Sequence, residues 1–186
     1  MTGEHLSEPA RFVEWGPERA NGRSHLLLGG NVAQSLSEND RDYARLQHEF
    51  NTRALSVRVG KTTRDGDSLS VTFAVHAELV GHFMPGMETH RRYSYVEVVA
   101  LDAKGARIVA TEPPKNDEDF ESASPLLFRC TQQPKPECDT LLRPKETRSY
   151  TVTLKLPPGA APARVEAIVH HTVDDQPIAR DSRALD

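Results

Sequence analysis

The residues best suited to chemistry lie in one short stretch, Val80-Gly81-His82-Phe83-Met84-Pro85-Gly86-Met87-Glu88-Thr89-His90-Arg91-Arg92, where imidazole, thioether, glycine and proline occur together. The stretch joins two β-patterned segments, and loops at one end of a rigid scaffold are where functional groups are commonly placed. Three chemistries compete for it. In the plainest, Pro85 and Gly86 make a turn and the histidines are polar residues satisfied by backbone groups. In the second, His82 with Met84, Met87 or His90, joined by Cys130 or Cys138, forms a copper site like those of small electron-transfer sandwiches. The cluster of Cys, His and Met near the C-terminal end that such a site uses is missing. In the third, His82 offers a neutral imidazole to the iron of a porphyrin held by something else. One imidazole completes a six-coordinate haem, and Gly81 and Pro85-Gly86 let a flat macrocycle approach the backbone.

The remaining histidines offer less. His5 sits in a terminus expected to fray, and His48 falls on a predicted helix beside Gln47 and Glu49, where it is solvated. His76 lies on the polar face of a predicted strand, which suits a cross-strand pair. His170 and His171 are adjacent on a strand, so their side chains take opposite faces and only one of them can join a given site. The sequence between Cys130 and Cys138, Thr-Gln-Gln-Pro-Lys-Pro-Glu, is turn-forming. A disulfide closing a short surface loop and two reduced thiols both fit it; a bridge would argue for an extracytoplasmic home. No Gly-x-Ser-x-Gly elbow, phosphate loop or His-Glu-x-x-His occurs, and the acidic run Asn116-Asp117-Glu118-Asp119 lacks EF-hand spacing. Hydrolytic catalysis is therefore not expected.

These residues need elements to position them. Residues 1–36 are irregular by pattern, with Pro9, Gly16, Pro17, Asn21-Gly22 and Gly29-Gly30, and read as an arm. Ser37 or Asn39 can cap one amphipathic helix running to about residue 52, with Tyr43, Leu46 and Phe50 on one face. From Ala54 the period becomes two. Leu55, Val57 and Val59 alternate, Arg64-Asp65-Gly66-Asp67 turns, and Leu69, Val71, Phe73, Val75, Ala77 and Leu79 share a face. Residues 93–101 and 106–111 flank the tight turn Asp102-Ala103-Lys104-Gly105 as a second hairpin. Residues 112–147 hold six prolines, too many for central strands, though a short strand near 126–128 fits. Tyr150, Val152, Leu154 and Leu156, the turn Pro157-Pro158-Gly159, and Val165, Ala167 and Val169 read as a third hairpin. The expected fold is mainly β: an immunoglobulin-like antiparallel sandwich over residues 54–186, with the irregular arm and short helix in residues 1–53. A barrel is the runner-up.

Length and charge narrow the partners. At 186 residues one core is the default. The net charge of -4, with Lys and Arg scattered, leaves no footprint for nucleic acid. No apolar run approaches the roughly 20 residues that span a bilayer. The N-terminus lacks the basic start and apolar stretch of a secretory signal, so the expectation is retention inside the cell or a mature or truncated piece.

Gly81-His82-Phe83-Met84-Pro85-Gly86, then Arg91-Arg92-Tyr93 and Val96-Glu97-Val98-Val99-Ala100-Leu101-Asp102-Ala103-Lys104-Gly105, resembles the C-terminal β-sandwich of multihaem c-type cytochromes of the cytochrome c-552/c-554-like group. Trp15-Gly16-Pro17, Asn21-Gly22-Arg23-Ser24-His25 and Gly29-Gly30-Asn31 look like the family's segment between its last haem-attachment motif and the sandwich. Asp139-Thr140 and Leu156-Pro157-Pro158-Gly159 match in character and order. The chain departs from the family in having no Cys-x-x-Cys-His, so it attaches no haem c of its own, and Gly86 follows Pro85 directly where the family has Thr. The resemblance implies an accessory or C-terminal module of an electron-transfer system in the periplasm or outside the cell. In it, His25 and His82 would be distal ligands to haem c supplied in trans, by a haem-bearing cytochrome domain or subunit, or by a missing N-terminal portion. The competing expectation is a haem-free module for protein-protein binding or assembly.

Overall fold

The computed structural model describes residues 32–37, 39–79, 93–112, 127–128, 141–171 and 176–185. Two helices, α1 (Val32–Ser37) and α2 (Arg41–Asn51), precede eight strands: β1 (Leu55–Asp65), β2 (Ser68–Ala77), β3 (Ser94–Leu101), β4 (Arg107–Ala110), β5 (Leu127–Phe128), β6 (Thr147–Lys155), β7 (Arg164–His171) and β8 (Ala179–Ala184). They form two antiparallel sheets. One has the order β1-β2-β6; the other has β4-β3-β7-β8, with β5 also pairing β3. This is the expected sandwich of immunoglobulin-like kind.

Strict alternation makes the core. Leu55 and Val57 of β1, Leu69, Val71, Phe73, Val75 and Ala77 of β2, and Leu154 of β6 face Val96, Val98 and Ala100 of β3 and Val165, Ala167 and Val169 of β7. Phe73 is fully buried and stacks on Tyr150, with ring centroids 5.6 Å apart. Leu79, read from the pattern as a sixth core residue of β2, lies past the strand end and is exposed.

The turns follow from local chemistry. Asp102 Oδ1 accepts from the Lys104 and Ala106 N–H groups at 2.8 and 2.7 Å, while Gly105 takes a φ of 81° that L side chains rarely adopt. In β1 the pairing shifts between Val59 and Thr62, a bulge that breaks the regular ladder. A Cβ at Gly60 would stand 3.2 Å from the Thr72 carbonyl oxygen, so glycine suits this close approach. The backbone that the bulge turns outward is taken by β8 side chains: the Val59 N–H donates to Asp181 Oδ2 at 2.7 Å, and Arg183 donates to the Gly60 carbonyl at 2.8 Å. The two sheets are thus joined along one edge by side chain to main chain bonds.

Four expectations are corrected. The segment through residue 36 contains α1. The cap of α2 is Asp40, whose Oδ1 accepts from the Tyr43 N–H at 3.0 Å, and its buried face is Ala44, Gln47 and Asn51 rather than Tyr43, Leu46 and Phe50. The third predicted hairpin does not pair with itself: β6 joins β2 and β7 joins β3, so Pro157-Pro158-Gly159 begins a crossing between sheets. The alternation in the two segments is real, but each finds its partner elsewhere. The last strand, β8, has the polar sequence Ala-Arg-Asp-Ser-Arg-Ala and carries little apolar signal to read.

Glu146 closes the turn into β6. Its Oε2 accepts from the Arg143 N–H at 2.7 Å and its Oε1 from the Arg148 guanidinium at 2.7 Å, while Arg148 also donates to the Leu141 carbonyl at 3.0 Å. Burial by itself would raise the carboxyl pKa; these hydrogen bonds and the charges of Arg148 and Arg143 outweigh it and hold the group below the usual glutamate value. A carboxyl depressed in the folded state stabilises above its unfolded pKa, and that contribution is lost as pH falls through the folded value. Glu146→Gln is expected to cost about 1 kcal/mol at neutral pH. It should also flatten the acid limb of a urea-midpoint against pH profile relative to the unsubstituted chain.

Candidate functional site

Strand direction decides which groups meet. Bonds from Asp181 and Arg183 of β8 to Val59 and Gly60 of β1 align those two strands, so the start of β1 and end of β2 lie at the same end of the sandwich as the end of β7 and start of β3. The opposite end holds the β1–β2 turn, where the Leu156 N–H donates to Asp67 O, together with Leu101, whose carbonyl accepts from Ala163. The first end therefore gathers His76, Glu78 and Lys145 with Tyr93, Ser94, His170 and His171. Residues 80–92, which carry His82, connect two strands rooted at this end.

The three histidines differ in what their nitrogens do. His76, opposite Thr147 on the outer face of the smaller sheet, has Nδ1 2.7 Å from Thr147 Oγ1 and Nε2 3.7 Å from Glu78 Oε2. Nδ1 thus makes the cross-strand pair its pattern predicts, and Nε2 has only the Glu78 carboxylate nearby, beyond hydrogen-bond distance. His171 points inward and is 4% exposed; its Nδ1 lies 3.0 Å from Ser94 Oγ and 3.2 Å from the Tyr93 carbonyl. A carbonyl only accepts, so that nitrogen carries the hydrogen. The pair fills a buried polar spot at the end of the core.

His170 points outward, as alternation requires. Its Nε2 is 3.2 Å from Glu97 Oε2, and its ring lies nearly parallel to that of Tyr95, 13° off plane with centroids 4.8 Å apart. Tyr95 in turn tilts against Tyr93 at 6.3 Å. Glu97 is held from its other side by Arg107, which reaches it along the outer face from a position opposite Leu101. Between Glu97 and the far end of the sheet Val99, Leu101 and Ile168 form a second apolar cluster outside the sandwich, flanked by Arg164 and Arg180, whose guanidiniums lie 3.4 and 4.0 Å from Glu166. An aromatic and imidazole stack, a carboxylate and a guanidinium thus stand in sequence on the outer face of the larger sheet.

His25 and His82 lie outside the described residues, as do Met84, Met87, His90, Cys130 and Cys138. No cluster of three or more His, Cys, Asp or Glu side chains that could hold a metal ion occurs among the described residues. No helix among them is long and apolar enough to cross a membrane. The Glu97–His170 pair leaves no signal in the sequence. Both residues occupy polar-face positions of alternating strands, but β3 and β7 are far apart in the chain and only their pairing brings the two together.

No protein-family model matches the sequence, and no curated protein matches it. Among solved structures, the chain is similar to a penta-haem cytochrome c552 from Thermochromatium tepidum, with a TM-score of 0.54 and 19% identity over 74% of this chain and 41% of that one. The chain thus spans well under half the length of that cytochrome. A β-glucosidase from Kluyveromyces marxianus matches at a TM-score of 0.30 and 11% identity, over 70% of this chain and 14% of that one, too low a score to carry a comparison.

Burial pushes the Tyr95 phenol above its ordinary value, and the charges of Glu97 and Tyr93 push it further. Following the Tyr95 Cζ carbon by NMR through an alkaline titration should show late ionisation. Glu97→Gln should move that midpoint down, since one of the raising charges is gone. The chain is thus similar in fold to part of that penta-haem cytochrome.

Proposed function

We propose that this protein is an accessory or C-terminal module of a multihaem electron-transfer system, packing against a haem-bearing cytochrome domain or subunit and donating distal histidine to its haem. Residues 54–186 are the sandwich of that module and residues 1–53 its docking arm. His82, with His25, is the ligand on this reading, and the haem c is supplied in trans or by a more N-terminal portion. The observation that carries it is that β2 ends and β3 begins at the end of the sandwich where His76, His170 and His171 collect, and residues 80–92 lie between those two strand ends in the sequence. The likeness in fold to a penta-haem cytochrome supports it, and so does the sequence resemblance around Gly81-His82.

The donor chemistry fits. Neutral imidazole is a good ligand for haem iron, and this end of the fold is rich in it, with one imidazole, His170, partly exposed on the outer sheet face. A haem with two nitrogen ligands is low-spin and exchanges an electron with little rearrangement. What this chain would contribute is position: a stiff two-sheet body that holds an imidazole at a fixed point and covers one side of the group from water. The role is electron transfer rather than catalysis, and the implied location is periplasmic or extracellular.

A haem c peptide with one histidine ligand and an open sixth position serves as the probe. Adding the full chain should convert its spectrum to the low-spin form of two-nitrogen coordination, and His82→Ala should weaken that conversion about tenfold. If the spectrum does not respond to the chain at all, the protein is better described as a haem-free binding module.

A further inference from the structure

We propose that His170 is itself an iron-ligating imidazole of this module, acting through Nδ1, with Glu97 and Arg107 as its positioning residues. The proposal rests on the reading that the module completes a partner's haem, but it assigns the ligand to a residue on the described sheet face.

A carboxylate facing a guanidinium accepts hydrogen bonds and does not donate them, so the contact between Glu97 Oε2 and His170 Nε2 fixes the hydrogen on Nε2. The lone pair of the neutral ring is then on Nδ1, which makes no hydrogen bond with the described residues. A carboxylate that takes the N–H of one ring nitrogen while the other nitrogen is left to bind is the usual arrangement behind a metal-ligating histidine. It sets the tautomer and fixes the ring. Two further restraints hold this ring. Tyr95 lies parallel to it at 4.8 Å, and the unbroken register of β3 with β7 sets the position of both. Arg107 anchors the carboxylate, so the chain of contacts is Arg107, Glu97, His170, then the open nitrogen.

Position favours the same conclusion. His170 is one residue from the end of β7, with its side chain 25% exposed, so the ring is reachable while its stem is supported. His76 is hydrogen-bonded through Nδ1 to the Thr147 hydroxyl, which can donate or accept and so fixes no tautomer, and His171 is sunk in the core. Among the described histidines at this end, His170 alone combines a partly exposed ring, a tautomer fixed by a carboxylate and a nitrogen without a hydrogen bond to the described residues. A single protein ligand is too little to hold a bare metal ion firmly. It is sufficient for the open axial position of an iron that a porphyrin and a first histidine already hold.

Two measurements test this on the full chain. In the haem-free protein, two-dimensional nitrogen NMR of the His170 ring should show the hydrogen on Nε2; a hydrogen on Nδ1 would overturn the proposal. With the one-histidine haem c peptide as probe, His170→Ala should weaken low-spin conversion about tenfold or more, and Glu97→Gln should weaken it in the same direction. Unchanged urea midpoints would show that both variants remain folded. Loss with His82→Ala and none with His170→Ala or Glu97→Gln overturns this assignment and leaves the proposed function standing. Loss with His170→Ala and none with His82→Ala supports it and moves the ligand away from the segment of residues 80–92. No low-spin conversion by the unsubstituted chain overturns both.

Discussion

Antiparallel strands in register put partnered residues on the same face, and β3 and β7 keep that register without interruption from Ser94↔His171 to Leu101↔Arg164. Everything at the candidate site depends on this pairing. It sends Val96, Val98 and Ala100 into the core with Val165, Ala167 and Val169, and by the same alternation sends Tyr95, Glu97, Ile168 and His170 outward. A slip of one residue would exchange the two sets, burying Glu97 and His170 and exposing the valines. The hydrophobic cost of such a slip is spread over six buried residues, so the position of the imidazole is guarded by apolar packing it does not touch.

The outer face of the larger sheet uses charge in a consistent way. Glu97 and Glu166 stand on neighbouring strands with little of either side chain exposed, and each is met by arginine: Arg107 at Glu97, Arg164 and Arg180 at Glu166. The acids are the shorter, more rigid members and the arginines the longer ones, whose stems can lie along apolar neighbours such as Val99, Leu101 and Ile168. Pairs whose arginines are about half exposed, as here, contribute little to stability, roughly 0–1 kcal/mol each. Their value lies in orientation. Glu97 presents one oxygen to Arg107 and the other to His170, so the guanidinium decides how the imidazole is held.

Strand positions were legible where alternation was strong. β1, β2, β3, β6 and β7 follow from Val, Leu and Phe at every second residue, and the turn at Asp102 to Gly105 follows from its side chain chemistry. Partnership was not legible, because alternation says which face a residue takes and not which strand lies beside it. Hence the apparent hairpin around Pro157-Pro158-Gly159 proved to be a passage between sheets, and the Glu97–His170 contact, spanning 73 residues of sequence, could not be foreseen. β8 went unread for a different reason. Its inward positions contribute polar groups aimed at another strand's backbone, and a pattern built from Arg and Asp looks the same as a loop.

That last strand has a role its composition conceals. A sandwich leaves the rims of its sheets with unpaired amide and carbonyl groups, an invitation for a stranger's β-segment to join. Here Asp181 and Arg183 occupy those groups on β1 at Val59 and Gly60 while their own strand pairs with β7. Removing β8 would therefore bare two rims at once, one in each sheet, and give the body adhesive sides. This polar strand is the seam between the sheets.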